Sequence, residues 1–537
     1  MQSAVKDKAY KSPVRKLARF FEKSRDQWKA KHHQAKASVK RLKNRVRFLN
    51  QSKGHWKSRA QELEREVARL KAREQALEQA VEALKKKVNE PVGLENLKDL
   101  MLVPYHHAYP IGCIALFVSL VLSAATSLRG ASRAIEVVVV ALHVPFACPT
   151  WFAGRLWLLR LGYYKLTRPK VHADDWVWIV DHTVQLGDDK CLVILGLRLC
   201  DLPSADRCLS HEDVEPIELA PVKKSNGEVV YQQLEQAVAK TGVPREIISD
   251  HGTDLNAGIE KFCQQHPQTS PLYDIKHKTA AVLKRELDQD ANWNTFTQLA
   301  NQTKHQVQQT ALAALFPPNQ KTKARYLNVD VLVTWGQKIL TFLDAPQAAR
   351  EPTFDRELVQ EKLGWVTGFR SQLAEWGDLF AIIAAVESFV RHHGLYREVH
   401  LELEKHLLSL PTQTQTERTQ RVRRELVAFV VEQEAKAHPD ERLLGSSEVI
   451  ESVLGKMKRL EQDQSKSGFT GLLLGLSALV STTTTAVIQK ALETVPTKQV
   501  WAWCQETLGQ TVQAKRREAL ASLRKAEQKW DQLPGAT

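Results

Sequence analysis

Asp175-Trp176-Val177-Trp178-Ile179-Val180-Asp181-His182-Thr183-Val184-Gln185-Leu186-Gly187 is the stretch whose reading decides the fold. Residues 176–180 are β-branched or aromatic and apolar without a break, so the run predicts a strand covered on both faces. One carboxylate, Asp181, interrupts it. An ionised carboxylate at that depth is costly without a cation, a metal ion or a route to water. A strand that simply surfaces at 181 meets the last condition just as well.

Working outward, the pattern changes after Arg168-Pro169. Strands are expected over 176–186, 191–199 and near 214–222, followed by an amphipathic helix over 229–240. Val243-Pro244-Arg245-Glu246-Ile247-Ile248-Ser249-Asp250-His251-Gly252-Thr253-Asp254 then predicts a short apolar strand ending on Asp250, with a glycine turn behind it. A fifth strand over 271–277 and a helix over 279–287 complete the block. Antiparallel strands, a helix, then a parallel strand is the order of the ribonuclease-H-like fold. That fold sets its first and fourth strands side by side, which would bring Asp181 to Asp250.

The rest of the chain is larger than one core needs. Its 537 residues imply roughly two to four domains. The seven cysteines are odd in number, scattered and free of any Cys-x-x-Cys pair, which points to a reducing compartment without disulfide framework or zinc knuckle. Met1 is followed by no apolar leader. A cytoplasmic location, nucleoid-associated in a bacterium, is expected.

Net charge is +15, and it sits at one end: residues 1–60 hold 19 Lys/Arg against 3 Asp/Glu, so this arm carries +16 and the remaining 477 residues sum to −1. A polyanion is the natural partner of such an arm; a merely solvated helix is the alternative. Seven-residue spacing runs through Phe21, Trp28, Ala35, Leu42, Leu49, Trp56, Leu63, Leu70, Leu77 and Leu84, the signature of a coiled coil. Up to Arg59 its flanks are nearly all basic, with Arg41, Lys43, Arg45 and Arg47 placed to follow DNA phosphates. Beyond it Glu and Arg alternate as in a self-contained zipper, so a homo-oligomer, a dimer in the simplest case, is expected.

Residues 95–168 predict three short helices with tight turns. The apolar run 111–126 is shorter than the about 20 residues a bilayer requires, so no membrane span is expected. A helix-turn-helix whose third helix presents Trp151, Arg155 and Arg160 to DNA is favoured over a plain helical core. Gly162 reads as that helix's C-terminal cap.

With these residues in view, the chain resembles the DDE transposases and retroviral integrases. Residues 244–254 look like their second-aspartate motif, and Asp181 matches the first aspartate. Asp274 and His277 resemble the Cys/Asp-x-x-His element of hAT-type transposases, although a helix cap and an ordinary histidine fit equally. The long strand-free stretch 288–438 resembles the all-α insertion of the larger members. The third acid is expected on the helix that resumes at Gly445-Ser446-Ser447-Glu448-Val449-Ile450-Glu451-Ser452, which is similar to the integrase glutamate helix. Glu451 is the choice, with Lys456 and Lys458 placed to hold a DNA phosphate; Glu448 and Glu387 are its rivals.

The resemblance implies an α/β ribonuclease-H-like core with a mixed five-stranded sheet, divided as follows: basic region and coiled coil 1–94, helix-turn-helix 95–168, first part of the core 169–287, all-α insertion 288–440, glutamate helix 441–490 and basic C-terminal helix 491–537. It implies that Asp181, Asp250 and Glu451 bind two Mg²⁺ or Mn²⁺ ions and perform strand cleavage and transfer on double-stranded DNA. Gln185 and His251 are possible accessory groups. A non-catalytic DNA-binding regulator over a degenerate core, and a plain nuclease or resolvase, are the alternatives. No P-loop motif is present.

Overall fold

The computed structural model describes residues 99–143, 147–184, 189–203, 208–318, 330–345, 354–462, 468–510 and 515–523, with parts of a helix between 16 and 53. Contacts divide the chain into two compact units, Met1–Leu97 and Lys98–Thr537.

In the first unit residues 18–34 are helical. Phe21, Trp28 and Leu42 of the seven-residue spine are 56%, 68% and 61% exposed, so nothing in the chain covers it among the described residues. Lys43 is exposed on helical backbone. Arg41, Arg45, Arg47 and the glutamate-rich half of the expected zipper lie outside the described residues.

The second unit begins with helices α1 (Ile111–Leu122), α2 (Leu128–Leu142) and α3 (Trp151–Thr167). A sheet block follows: β1 (Trp176–Val184), β2 (Lys190–Arg198), β3 (Glu215–Val222), α4 (Gly227–Thr241), β4 (Glu246–Ser249), α5 (Thr253–Gln265), β5 (Ser270–Tyr273) and α6 (Ile275–Asp288). Helices then run on as α7 (Ala291–Val307), α8 (Asp330–Asp344), α9 (Arg356–Leu363), α10 (Arg370–His393), α11 (Val399–Leu408) and α12 (Glu417–Glu434). The chain closes with α13 (Glu448–Gln462), α14 (Leu474–Leu479), α15 (Thr485–Thr494) and α16 (Thr497–Trp503). Between 288 and 438 the described residues form no strand beyond one isolated bridge, from Leu395 to Leu443. No helix among the described residues is long and apolar enough to cross a membrane.

The sheet is mixed, in the order β3-β2-β1-β4-β5. β1 pairs antiparallel with β2 and parallel with β4, whose partner β5 is also parallel. Alternation assigns its two faces. Trp176, Trp178 and Val180 pack with Ile247 against Val230 and Leu234 of α4 and Ile259 and Phe262 of α5. Val177, Ile179 and Ile248 face the large helical core on the other side.

The helices of the expected helix-turn-helix form, but they are built into this core. Helix α3 is apolar nearly all round, the mark of a buried helix, and it lies against β3, α14, α15 and α16. A Cβ on Gly162 would stand 1.9 Å from the Leu474 carbonyl oxygen. Gly162 is therefore a close-approach residue inside the helix and not its cap, which corrects that expectation; the helix runs on to Thr167. Nor are Arg155 and Arg160 free for DNA. Arg160 donates to the Val495 carbonyl at 2.7 Å and to that of Leu492, and Arg155 lies over the Trp501 ring at 6.0 Å. Both are spent on joining α3 to the last helices.

The tail also departs from expectation. Instead of one basic helix over 491–537, α16 ends in a π-helical turn, Cys504–Leu508, and Gly509 adopts φ 64°. Residues 515–523 are helical and exposed.

Candidate functional site

The site is built at the carboxyl ends of β1 and β4. Their register pairs Val180 with Ser249, so Asp181 and Asp250 follow at equivalent positions. By alternation both belong to the face of Val177, Ile179 and Ile248. Burial first, then the charge of Asp250 and more weakly that of Glu451, push the Asp181 carboxyl up to about 7; the His182 N–H (2.6 Å) and His277 act the other way. Asp250 and Glu451 thus both act on Asp181, while the Gly252 N–H donates to Asp250 at 2.9 Å.

Glu451 comes from a part of the chain some 200 residues on from Asp250, and its arrival is fixed by hydrogen bonds rather than by spacing. The segment before α13 is stitched to β4, β5 and α6. The Leu444 N–H donates to the buried Glu246 carboxyl at 2.9 Å, and the Ile275 N–H to the Gly445 carbonyl at 3.2 Å. The Ser447 N–H donates to Asp274 at 2.8 Å, and Arg245 forms a two-pronged pair with Glu441 at 2.8 and 2.6 Å. Helix α13 then lies along β1. Ser446 accepts from the Glu448 N–H at its start.

Asp274 and His277 are drawn to Glu451, but not as one strand. The chain leaves β5 at Tyr273, Asp274 caps α6 by accepting the His277 N–H at 3.1 Å, and Lys276 and His277 form the helix's first turn. The expectation of a strand to 277 is corrected, and the capping alternative for Asp274 is what forms. Glu451 accepts from Lys276 at 2.8 Å and pairs with His277 Nε2 at 2.9 Å. Burial acts to raise its carboxyl, yet the His277 and Lys276 hydrogen bonds and charges outweigh it and hold it down at about 2. The Glu451 hydrogen bond in turn raises His277. Lys276 carried no signal in the sequence beyond its place beside His277.

Ligand atoms of Asp274, His277 and Glu451 lie within 4.8 Å of one another. Asp274, however, already accepts two backbone N–H groups, one on each oxygen, so its first task is structural. Asp181, Asp250 and Glu451 offer hard carboxylate oxygens with no Lys or Arg directly on either aspartate among the described residues. That donor set fits a divalent cation of the Mg²⁺ or Mn²⁺ type.

The other expected residues scatter. Glu448 pairs with Arg391 at 2.7 Å, and Glu387, half-buried in α10, accepts from the Thr279 hydroxyl. Lys456 lies beside His211 Nδ1 at 3.2 Å in a cleft flanking α13, and Lys458 is exposed. His251, held at φ 56°, stacks on Tyr273 at 4.2 Å, and burial lowers its imidazole. Gln185 lies outside the described residues.

No family model matches the chain, and neither does any curated protein. Among solved structures it is similar to a chain of the Drosophila P element transposase strand transfer complex, at 12% identity and a TM-score of 0.37, over 78% of this chain and all of that one. A likeness of that size bears on no residue's role.

Proposed function

We propose that this chain is a DNA transposase whose Asp181, Asp250 and Glu451 hold divalent cations for DNA strand cleavage and strand transfer. The observation that carries the reading is the parallel β1–β4 register, which aligns two aspartates on the face where a glutamate helix lies along β1. An Asp181 carboxyl pushed up to about 7 supports it, because a cation between the acids would reverse that shift.

The bound ions would activate water, or a DNA 3′-hydroxyl, and stabilise the leaving oxygen of an in-line displacement. Asp181 and Asp250 fix the geometry from two adjoining strand ends, which are rigid supports. Glu451 closes the set from the helix above. His277 orients that glutamate, and Lys276 adds positive charge where a phosphate would lie. The basic arm supplies sequence-independent hold on double-stranded DNA, and its exposed spine is the surface through which copies would pair.

Asp181→Asn and Asp250→Asn are expected to keep DNA binding in a gel shift yet lose Mg²⁺-dependent cleavage by roughly a thousandfold or more. Glu451→Gln should match them. Full cleavage by either aspartate variant would overturn the site, and activity kept in Glu451→Gln but lost in Glu387→Gln would move the third acid.

A further inference from the structure

Beside α13, on the flank of its Glu448 and Ser452, lies a cleft of about 630 Å³ lined by Cys208, His211, Arg391, Glu448, Ser452 and Lys456 among others. Its one thiol, Cys208, takes no part in the proposed metal site. The Cys208 Sγ lies 3.3 Å from His392 Nε2. On the far side of that ring, Nδ1 lies 2.6 Å from the Ser388 carbonyl oxygen. A carbonyl only accepts, so Nδ1 carries the hydrogen, and in the neutral ring Nε2 turns its lone pair to the sulfur. The Arg391 guanidinium, paired with Glu448, is close enough to feel the sulfur's charge. A base at hydrogen-bond distance, fixed in its tautomer, with a cation beside it and an open cleft in front, is the environment that makes a cysteine nucleophilic.

We propose that Cys208 and His392 form a reactive thiol–imidazole pair, a modification site for small disulfides and other soft electrophiles that enter this cleft. Cys208 passes its proton to His392 Nε2. The sulfur attacks one sulfur of a low-molecular-weight disulfide, a new S–S bond forms as the old one breaks, and the departing thiolate takes the proton back. The adduct then stands in the cleft against the Ser452 and Lys456 side of α13.

The other six cysteines supply the contrast. Burial raises the thiols of Cys113, Cys191, Cys263 and Cys504, to about 11 for Cys113 and Cys263. Cys200 is exposed, but desolvation and then the Asp201 and Asp175 carboxylates raise it too. Cys148 is half-buried near Cys113. Only Cys208 has an imidazole nitrogen within hydrogen-bond distance among the described residues.

The test is competitive alkylation of the full folded chain with limiting iodoacetamide. Isotopically heavy reagent follows after unfolding, and mass spectrometry reads each cysteine. Cys208 should react roughly tenfold or more faster than the exposed Cys200. His392→Gln should bring Cys208 down to the Cys200 rate while the Cys200 rate itself stays unchanged. A Cys208 no faster than Cys200, or a rate that survives His392→Gln, overturns the proposal. A second measurement needs no variant: oxidised glutathione should form a mixed disulfide on Cys208 and not on Cys200, and its absence from Cys208 is equally fatal.

Discussion

Asp181 and His182 are neighbours in one strand, yet the charges around them are arranged in opposite ways on the sheet's two faces. Behind the sheet, Asp254 pairs with Lys190 at 2.8 Å and lies 3.6 Å from His182 Nδ1. Burial acts to raise that carboxyl, but the Lys190 and Ser225 hydrogen bonds and the His182 charge hold it at about 2. In front, burial first and then the charges of Asp250 and Glu451 push Asp181 the other way, to about 7. A compensated cluster is what folding alone would select. An uncompensated one costs stability in the free protein, which is a reason to look for a ligand.

The comparison breaks most visibly at Asp181. Its raised pKa means that the penalty is absent below about 4, where the group is protonated in both folded and unfolded chains, and complete above about 7. Asp181→Asn is therefore expected to stabilise the protein by about 2–4 kcal/mol at pH 8 and hardly at all at pH 3.5. Added Mg²⁺ should raise the melting temperature of the native chain but not of the variant. A destabilised variant at pH 8 would show that the carboxylate is already compensated.

Asp254→Asn should do the reverse and by less. A carboxyl held down at about 2 contributes stability above about 4 and loses it as the pH falls through 2. The expected loss is about 1–2 kcal/mol at pH 7, narrowing below pH 4 in urea titrations. An unchanged stability at pH 7 would make the two faces alike after all.

The smallest effect belongs to Lys276→Met. The Lys276–Glu451 pair is about a quarter exposed on both sides, so its removal should cost roughly 0.5 kcal/mol or less. It should sharpen the comparison by another route: with one cation gone from Glu451, calorimetric titration should find Mn²⁺ bound a few-fold more tightly. Weaker Mn²⁺ binding would mean that Lys276 holds the carboxylate where a metal needs it.

How much of this was legible in the chain itself follows from what each feature depends on. β1 and β4 were readable because the unbroken β-branched and aromatic run at 176–180 and the buried pair Ile247-Ile248 suit a doubly covered strand, and Asp181 and Asp250 follow closely on each. The end of β5 was not, since Asp274 looks like any strand residue until its side chain caps the next helix. The arginines of α3 mimic a DNA-reading face because spacing says nothing about the carbonyls of residues 492 and 495 that Arg160 reaches, or the Trp501 ring beneath Arg155. The choice between Glu387 and Glu451 turns on the stitches at 444–447, which are long-range hydrogen bonds and leave no local pattern.

One buried lysine sets how this chain can be divided. Lys165, at the end of α3, spends its ammonium on the Val480 and Ser481 carbonyls and the Thr483 hydroxyl, at 2.6, 2.8 and 2.6 Å, two helices before the tail. With Gly162 pressed on Leu474 just beside it, the first helices and the last form a clasp around the sheet. A polypeptide trimmed to the strands and their glutamate helix would bare the apolar side of α14 and leave those carbonyls unanswered. The minimal folding piece therefore reaches back at least to α3, before the first acid.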